Sequence, residues 1–411
     1  MKKHILKITV GVIASFLGFS ANAQCPTITC PTNITVNNDA GACDAVVNYT
    51  APIGIDLCGP ASQTFSYTGV LQTWIVPAGV TSVTITAYGA QGADGIGGLV
   101  GTGGQGGFAA GDLAVTSGQT LNIYVGGASG YNGGGSPGLS GSNTSGMGGG
   151  ASDVRLGGTA LANRVIVAAG GGGGTGGPQA ACAGGPGGNG GDGGATTGLS
   201  GTAGSGCGTG GTGGTGGTAS TGGTGGLGNS NCSVTAGNGL PGVLGIGGNG
   251  GNGVIGCAGF TGSGGGGAGG GLYGGAAGGG GAGGGGGAWS GGGGGGGSSY
   301  IGGVIAGATT AGGRTGSGEV TISYSGATVP TTQTAGLASG ATFPVGTTTN
   351  TFSATNAFGT VTCSFIVTVA DTEVPVADIV TLTDATDQCS VTSITAPTAT
   401  DNCAGAVTGT T

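Results

Sequence analysis

The sequence predicts an all-β chain: a small β-sandwich interrupted by a glycine-rich domain of threefold extended helices, then part of a second sandwich. Three observations predict it. Between Cys182 and Cys257 the chain reads glycine-glycine-X, with Thr209, Thr212, Thr215, Thr218, Thr221 and Thr224 at every third place. Side chains recur about every 3.6 residues on a helix and every 2 on a strand. A period of three belongs instead to the left-handed extended helix, with a rise of about 3.1 Å per residue. Each X side chain then falls on one edge, and the bare glycine edges let neighbouring helices exchange backbone hydrogen bonds. Second, ordinary β-rich sequence stands on both sides of the glycine block, so 24–64 and 327–372 read as one domain with 65–326 inserted in a loop, where insertion is tolerated. Third, Cys43 to Cys58, with Thr50-Ala51-Pro52 between, recurs as Cys389 to Cys403 with Thr395-Ala396-Pro397 between.

The elements follow in chain order. Residues 1–23 have the form of a secretion signal: Met1-Lys2-Lys3-His4, an apolar stretch from Ile5 to Phe19, and the small-residue site Ala21-Asn22-Ala23. No later segment has the roughly 18 consecutive apolar residues of a membrane helix. The expected location is secreted or cell-surface. In 24–64, Asn33–Val36 and Ala45–Tyr49 read as short strands bounded by turn residues. Inside 65–326, strands are expected at Trp74–Val80, Val83–Tyr88, Leu121–Val125, Arg164–Ala168 and Glu319–Tyr324; Val83, Ile85 and Ala87 share one face. These strands supply apolar burial that glycine cannot, and ordered glycine is entropically costly. In 327–372, Phe343–Thr349 reads as a turn and Val361–Val369 as a long alternating strand. Residues 373–411 begin the second copy, which stops at Thr411 before repeating those elements; half a sandwich buries no core, so a fragment is expected.

Composition narrows the chemistry. All three lysines (Lys2, Lys3, Lys7) and the only histidine, His4, lie in the signal. Three arginines, Arg155, Arg164 and Arg314, then face fourteen carboxylates, a formal charge of −11. Nucleic acid, which needs phosphate neutralised by Lys and Arg, is excluded as a partner class. Without histidine there is no Ser-His-Asp triad, Cys-His pair or His-ligated zinc. An enzyme remains only through carboxylates such as Asp94, Asp112 and Asp153. The expectation is no enzyme.

Eleven cysteines in a secreted chain read as disulfides. Cys182, Cys207, Cys232 and Cys257 stand at equal intervals, as if each interval were one traverse of the bundle and its return, with the cysteines stacked near one end. A four-cysteine zinc site would need close pairs that this spacing lacks. Cys25 and Cys30, Cys43 and Cys58, Cys363, and Cys389 and Cys403 complete the set; connectivity is not fixed by sequence.

Three further groups invite a functional reading. Asp153 and Arg155 share a strand face, where an ion pair with each other or with Arg164 would fix the junction to the glycine bundle; the rival reading is a ligand patch. The threonine row either covers glycine backbone without bulk or presents a flat surface to ice. Asp371, Glu373 and Asp378 could hold calcium, which takes six or more oxygens; solvated linker charge is the default, and no cofactor is expected.

Two resemblances sharpen these expectations. Ile28-Thr29-Cys30-Pro31, Phe343-Pro344-Val345-Gly346-Thr347-Thr348 and Thr362-Cys363-Ser364-Phe365 resemble the hyalin-repeat (HYR) module, an immunoglobulin-like β-sandwich of extracellular proteins. That resemblance implies Cys30–Cys363 and Cys43–Cys58 bonds. The stretch Ala354–Thr360 departs from the family pattern. Phe65-Ser66-Tyr67-Thr68-Gly69, Gln72-Thr73-Trp74, Ala87-Tyr88-Gly89-Ala90-Gln91-Gly92, Gly150–Arg155, Arg164–Gly173 and Gly297-Ser298-Ser299-Tyr300 resemble the glycine-rich extracellular domain of the anaplastic lymphoma kinase and leukocyte tyrosine kinase receptors. It implies a TNF-like jelly-roll carrying polyglycine-II helices; in those receptors the domain binds protein cytokines. No kinase signature occurs here, so kinase activity does not transfer. The expected function is a non-enzymatic structural or adhesion protein with a glycine-rich head on β-sandwich modules. The alternatives are a receptor-like domain for a protein or glycan ligand and an ice-binding surface.

Overall fold

The computed structural model describes residues 26–408 apart from 57–60, 141–143, 178–185, 207, 285–286, 358, 382–383, 385, 387–389 and 391–394. The chain is all-β. Its described residues form strands and two single 3₁₀ turns, Leu161–Asn163 and Cys257–Gly259, with no α-helix. It divides into two compact units, residues 1–58 with 329–411, and residues 59–328.

In the first unit, sequence from both sides of the glycine block builds one core. Gly346–Asn356 and Gly359–Ala370 pair antiparallel along their length. Ile34–Asn37 adds to the second of these in parallel, Ile34 opposite Val367 and Asn37 opposite Ala370. Thr331–Ala335 flanks the other side, and Asp44–Val46 pairs with Thr342–Pro344. Alternation then places Phe352, Phe365, Val367 and Val369 inward against Ala45, Val47 and Phe343. Tyr49 sets its ring edge-on to Phe365 at 5.0 Å and donates its hydroxyl to the Leu337 carbonyl at 2.6 Å. Cys30 and Cys363 are bonded across this core. The stretch expected as a turn, 343–349, is instead the end of one strand and the start of another. The step between them is made at Gly346, whose φ of 112° favours glycine.

A second correction concerns Cys43. It is bonded to Cys403, not to Cys58, which lies outside the described residues. The Cα atoms of Cys43 and Cys403 are 5.2 Å apart, within disulfide reach. Neighbouring contacts hold them there: Glu373 accepts the Gly41 N–H at 2.5 Å through one oxygen and the Asn402 side-chain amide through the other. The beginning of the second copy, Val376–Ala377, Thr398–Asp401 and Gly405–Thr408, forms its own three-stranded sheet.

The second unit opens as a sandwich. A five-stranded sheet runs in the order Ile305–Arg314, Gly106–Ala114, Ser82–Tyr88, Glu319–Tyr324, Ala61–Ser66. Opposite it stand Arg164–Ala168, Ser152–Leu156, Thr120–Tyr124 and Gln72–Ile75. Both sheets feed one core, with Val83, Ile85, Val320 and Ile322 from the first and Trp74, Leu121, Ile123, Val154 and Ile166 from the second. Ala61–Thr64, read from sequence as the end of the first sandwich segment, belongs here because the whole strand Ala61–Ser66 ladders onto Glu319–Tyr324.

From this sandwich the chain runs straight into the glycine region. Residues 170–175 follow the strand Arg164–Ala168 with no turn and carry no regular strand pairing. Their N–H groups go to three neighbours in rotation. Gly170 and Gly173 donate to Gly270 and Gly267, Gly171 and Gly174 to Ala90 and Ala93, and Gly172 and Thr175 to Gly191 and Gly188. Their carbonyls accept from three others: Gly297 and Gly294, Gly149 and Gly146, Gly104 and Gly101. Partners thus recur at every third residue, the hexagonal arrangement that threefold extended chains allow. Residues 265–270, 275–281 and 292–297 are surrounded in the same way.

Candidate functional site

The glycine region sorts its residues by depth. The four inner columns, at 170–175, 265–270, 275–281 and 292–297, are buried throughout and consist of glycine with a few alanines and one threonine. A Cβ at Gly172 would overlap the Gly294 carbonyl, and one at Gly278 the Gly292 carbonyl, so backbone and not a movable side chain bars substitution. Buried hydroxyls hold column ends: Thr175 donates to Gly291 O at 2.8 Å while accepting the Gly188 N–H, and Ser299 donates to Gly194 O at 2.6 Å.

The glycine-glycine-X columns form the outside, and X has a recurring task. Thr212 Oγ1 accepts the Leu227 N–H at 2.7 Å, Thr215 Oγ1 that of Thr224 at 2.7 Å, and Thr218 Oγ1 that of Thr221 at 3.0 Å. Asn189 Oδ1 takes the Thr102 N–H, Asp192 Oδ1 that of Gln105, Asn249 Oδ1 that of Ser136, and Asn252 Oδ1 that of Leu139. At the rim, one N–H per turn points along the surface with no inner neighbour to receive it. An acceptor side chain on the next column satisfies it.

The threonines therefore do not form one row. At Thr218 the glycine pair of the repeat is replaced by Ala219-Ser220, the chain turns back, and Thr221 and Thr224 lie beside Thr218 and Thr215. Two adjacent columns of exposed or half-exposed hydroxyls result. Similar returns join Asn189 with Thr202 and Leu240 with Asn249. Each interval between the equally spaced cysteines thus holds one outward and one returning column. Cys232 and Cys257 are bonded, with Cα atoms 5.7 Å apart; Cys182 and Cys207 lie outside the described residues, as do Cys25 and Cys389.

Asp153, Arg155 and Arg164 are brought together, in the interior. Asp153 is 1% exposed and bonds Arg155 through both oxygens, to Nε at 2.6 Å and to the terminal nitrogen at 3.1 Å. Asn132 bridges the pair, and the guanidinium lies 3.7 Å above the Tyr124 ring centre. Arg164 donates to the carbonyls of Gly271 and Leu272 at 2.9 and 3.2 Å, tying a sandwich strand to the loop between two inner columns. Burial lowers the Arg164 pKa, and the Asp153 charge opposes that shift. These are structural contacts and leave no open ligand patch.

The remaining carboxylates are dispersed. Asp94 accepts the Gly103 N–H at 2.7 Å, and Asp112 accepts the Thr84 hydroxyl at 2.6 Å. Neither shares the buried setting of Asp153. Near the start of the second copy, the one group among the described residues with metal-ligand proximity is Asp371, Asp401 and Cys403, whose ligand atoms lie within 4.8 Å of one another. Cys403 is in a disulfide and offers no thiolate. The N–H groups of Ala404 and Cys403 hold the Asp401 carboxyl below the usual range. Glu373 and Asp378, expected beside Asp371, are instead bonded to Asn402 and Thr400. Asp371 and Asp401 supply two of the six or more oxygens that calcium takes.

No family model matches the chain, and no curated protein matches it in sequence.

Proposed function

We propose that this is a secreted or cell-surface, non-enzymatic structural and adhesive protein whose glycine array serves as a rigid head carried by β-sandwich modules. On this reading the first unit is an immunoglobulin-like HYR module with a partial second one. The second unit is a TNF-like jelly-roll carrying polyglycine-II helices, similar to the glycine-rich domain of the receptor kinases named above. The observation that carries the reading is the array itself, in which each inner column is bonded on all sides to other columns. Such a lattice makes a fixed outer surface and no reactive centre. Three disulfides suit an oxidising compartment, and no helix among the described residues is long and apolar enough to cross a membrane.

The test is adhesion of the whole secreted chain to cells and to protein- or glycan-coated surfaces. Paired Thr215→Lys and Thr224→Lys changes on the outer columns should reduce retention while leaving the melting temperature unchanged. A chain that adheres to nothing yet hydrolyses a substrate would overturn the proposal. The threonine hydroxyls accept neighbouring backbone N–H groups, which favours their role as covers of the array over ice recognition. Ordinary freezing without thermal hysteresis is therefore expected.

A further inference from the structure

The two copies of the sandwich begin alike. In the first, Thr27 stands opposite Ile55 and Ile28 opposite Gly54; in the second, Val376 stands opposite Thr400 and Ala377 opposite Ala399. Counted from Ala51-Pro52 and Ala396-Pro397, Ile55 matches Thr400, Asp56 matches Asp401 and Cys58 matches Cys403. Each copy therefore opens with the same strand pair and carries its later cysteine just beyond it. In the second copy Asp401 fixes that cysteine by accepting the Cys403 and Ala404 N–H groups at 2.9 and 2.7 Å.

The earlier cysteine stands at the other end of the module. Cys30 is bonded to Cys363, and Ile34–Asn37 lies parallel to Val367–Ala370, so the chain from Cys30 to Asn37 follows the last long strand toward its exit. At about 3.3 Å per residue that stretch covers roughly 23 Å. There Asn38 donates its N–H to the Ala370 carbonyl, and the turn from Asp39 to Asp44, with Gly41 at a φ of 75°, presents Cys43. Gly54–Asp56 runs the opposite way, back along Thr27–Ile28 toward the entry. Cys58 lies outside the described residues, but the strand that leads to it heads away from Cys43. A disulfide reaches across a Cα separation of no more than about 7 Å.

We propose that the sandwich copies are chained end to end by one repeated bond, from the first cysteine of each copy to the second cysteine of the next. Cys43–Cys403 is one such link. Cys389 also lies outside the described residues; in sequence it holds the place of Cys43, so the partner it fits is the cysteine of an Ala-Pro-x5-Cys segment in a further copy. Eleven cysteines cannot all pair among these 411 residues, and the rule leaves Cys389 as the one without an internal partner. Each link turns two thiols into one disulfide; the two electrons and two protons pass to a disulfide oxidant, which is reduced to two thiols. The inference goes beyond the adhesive reading, because it makes the modules a covalent stalk whatever the head binds.

The experiment is disulfide mapping of the whole, unreduced protein after its free thiols are blocked with N-ethylmaleimide in denaturant. A protease that cuts before aspartate separates the four cysteines into peptides 39–43, 56–93, 387–400 and one beginning at Asp401. Mass spectrometry should find 39–43 joined to the peptide that begins at Asp401. Peptide 387–400 should carry a maleimide or be joined to an Ala-Pro-x5-Cys peptide of a further copy. Cys403→Ser should add a maleimide at Cys43 and leave Cys389 as it was. Bonds within a copy, Cys43 to Cys58 or Cys389 to Cys403, would overturn the rule. So would a bond from Cys389 to any other cysteine of these residues, or a Cys43 that stays blocked to maleimide in the Cys403→Ser variant.

Discussion

The sandwich and the glycine array of the second unit are continuous in the chain and opposite in how they hold together. In the sandwich, backbone pairing is lateral and the interior is filled by side chains such as Leu121, Ile123, Ile166 and Ile322, all fully buried. In the array, the interior is backbone: carbonyl meets N–H in three directions, and the buried residues have almost no side chains. Burial of a large aliphatic side chain is worth about 1.5–3 kcal/mol. A backbone hydrogen bond contributes a net of only about 0.5–1.5 kcal/mol, against about 1–2 kcal/mol to order each residue. An isolated array is therefore close to balance, and the sandwich strands that lead into its columns tip it toward order. A core can be made by leaving side chains out, provided another core holds the ends.

Breaking the junction should have the largest effect. Asp153→Asn leaves the buried Arg155 without its counter-charge, a change expected to cost about 3–5 kcal/mol in thermal or denaturant unfolding. Because Arg155 lies beside the contacts that tie the sandwich to the array, both regions should lose exchange protection together. Gly294→Val comes next. Its methyls would meet the Gly267 carbonyl, and a loss of about 3 kcal/mol is expected, at the upper end for overpacking. Its damage should appear first in the columns at 170–173, 266–269 and 276–279, while the Leu121 core stays formed. Thr215→Val sits on the rim, removes one exposed acceptor and should change stability by less than about 0.5 kcal/mol. An equal penalty for the Gly294 and Thr215 changes would erase the distinction between inner and outer columns.

The smallest effect separates the first unit from the second. The Asp401 carboxyl is held low by the Ala404 and Cys403 N–H groups, and that of Asp378 by the Thr398 and Thr400 hydroxyls. A depressed carboxyl adds stability that is complete above its unfolded pKa of about 3.9 and is lost as pH falls through the folded value. Acid titration should therefore loosen the Thr398–Thr408 hairpin below about pH 4, while the array, bonded by backbone, keeps its amide protection. Simultaneous loss in both regions would contradict this.

Much of this was legible. The period of three named the extended chain, the strands Arg164–Ala168 and Glu319–Tyr324 stood at their full length in the apolar pattern, and the equal cysteine intervals gave the out-and-back path. Strands poor in large residues were not read. Gly106–Ala114 and Ile305–Arg314 contain glycine and alanine where a strand usually places branched residues, and only their neighbours make them strands. The sorting of inner from outer columns was present as an overlooked signal: runs such as Gly291–Gly297 lack an X residue because every side of the column is occupied. The turn at Ala219-Ser220 was likewise visible as a break in the repeat. The Cys43–Cys403 bond was not legible, because it joins two copies of a repeat at positions where each copy has a cysteine of its own to offer.

Amide hydrogen exchange on the whole protein, resolved by residue, tests the central claim most directly. The glycines of the inner columns at 170–175, 265–270, 275–281 and 292–297 should exchange as slowly as the sandwich strands Arg164–Ala168 and Glu319–Tyr324. Inner-column amides exchanging at the rate of an unstructured chain, with those strands still protected, would contradict it.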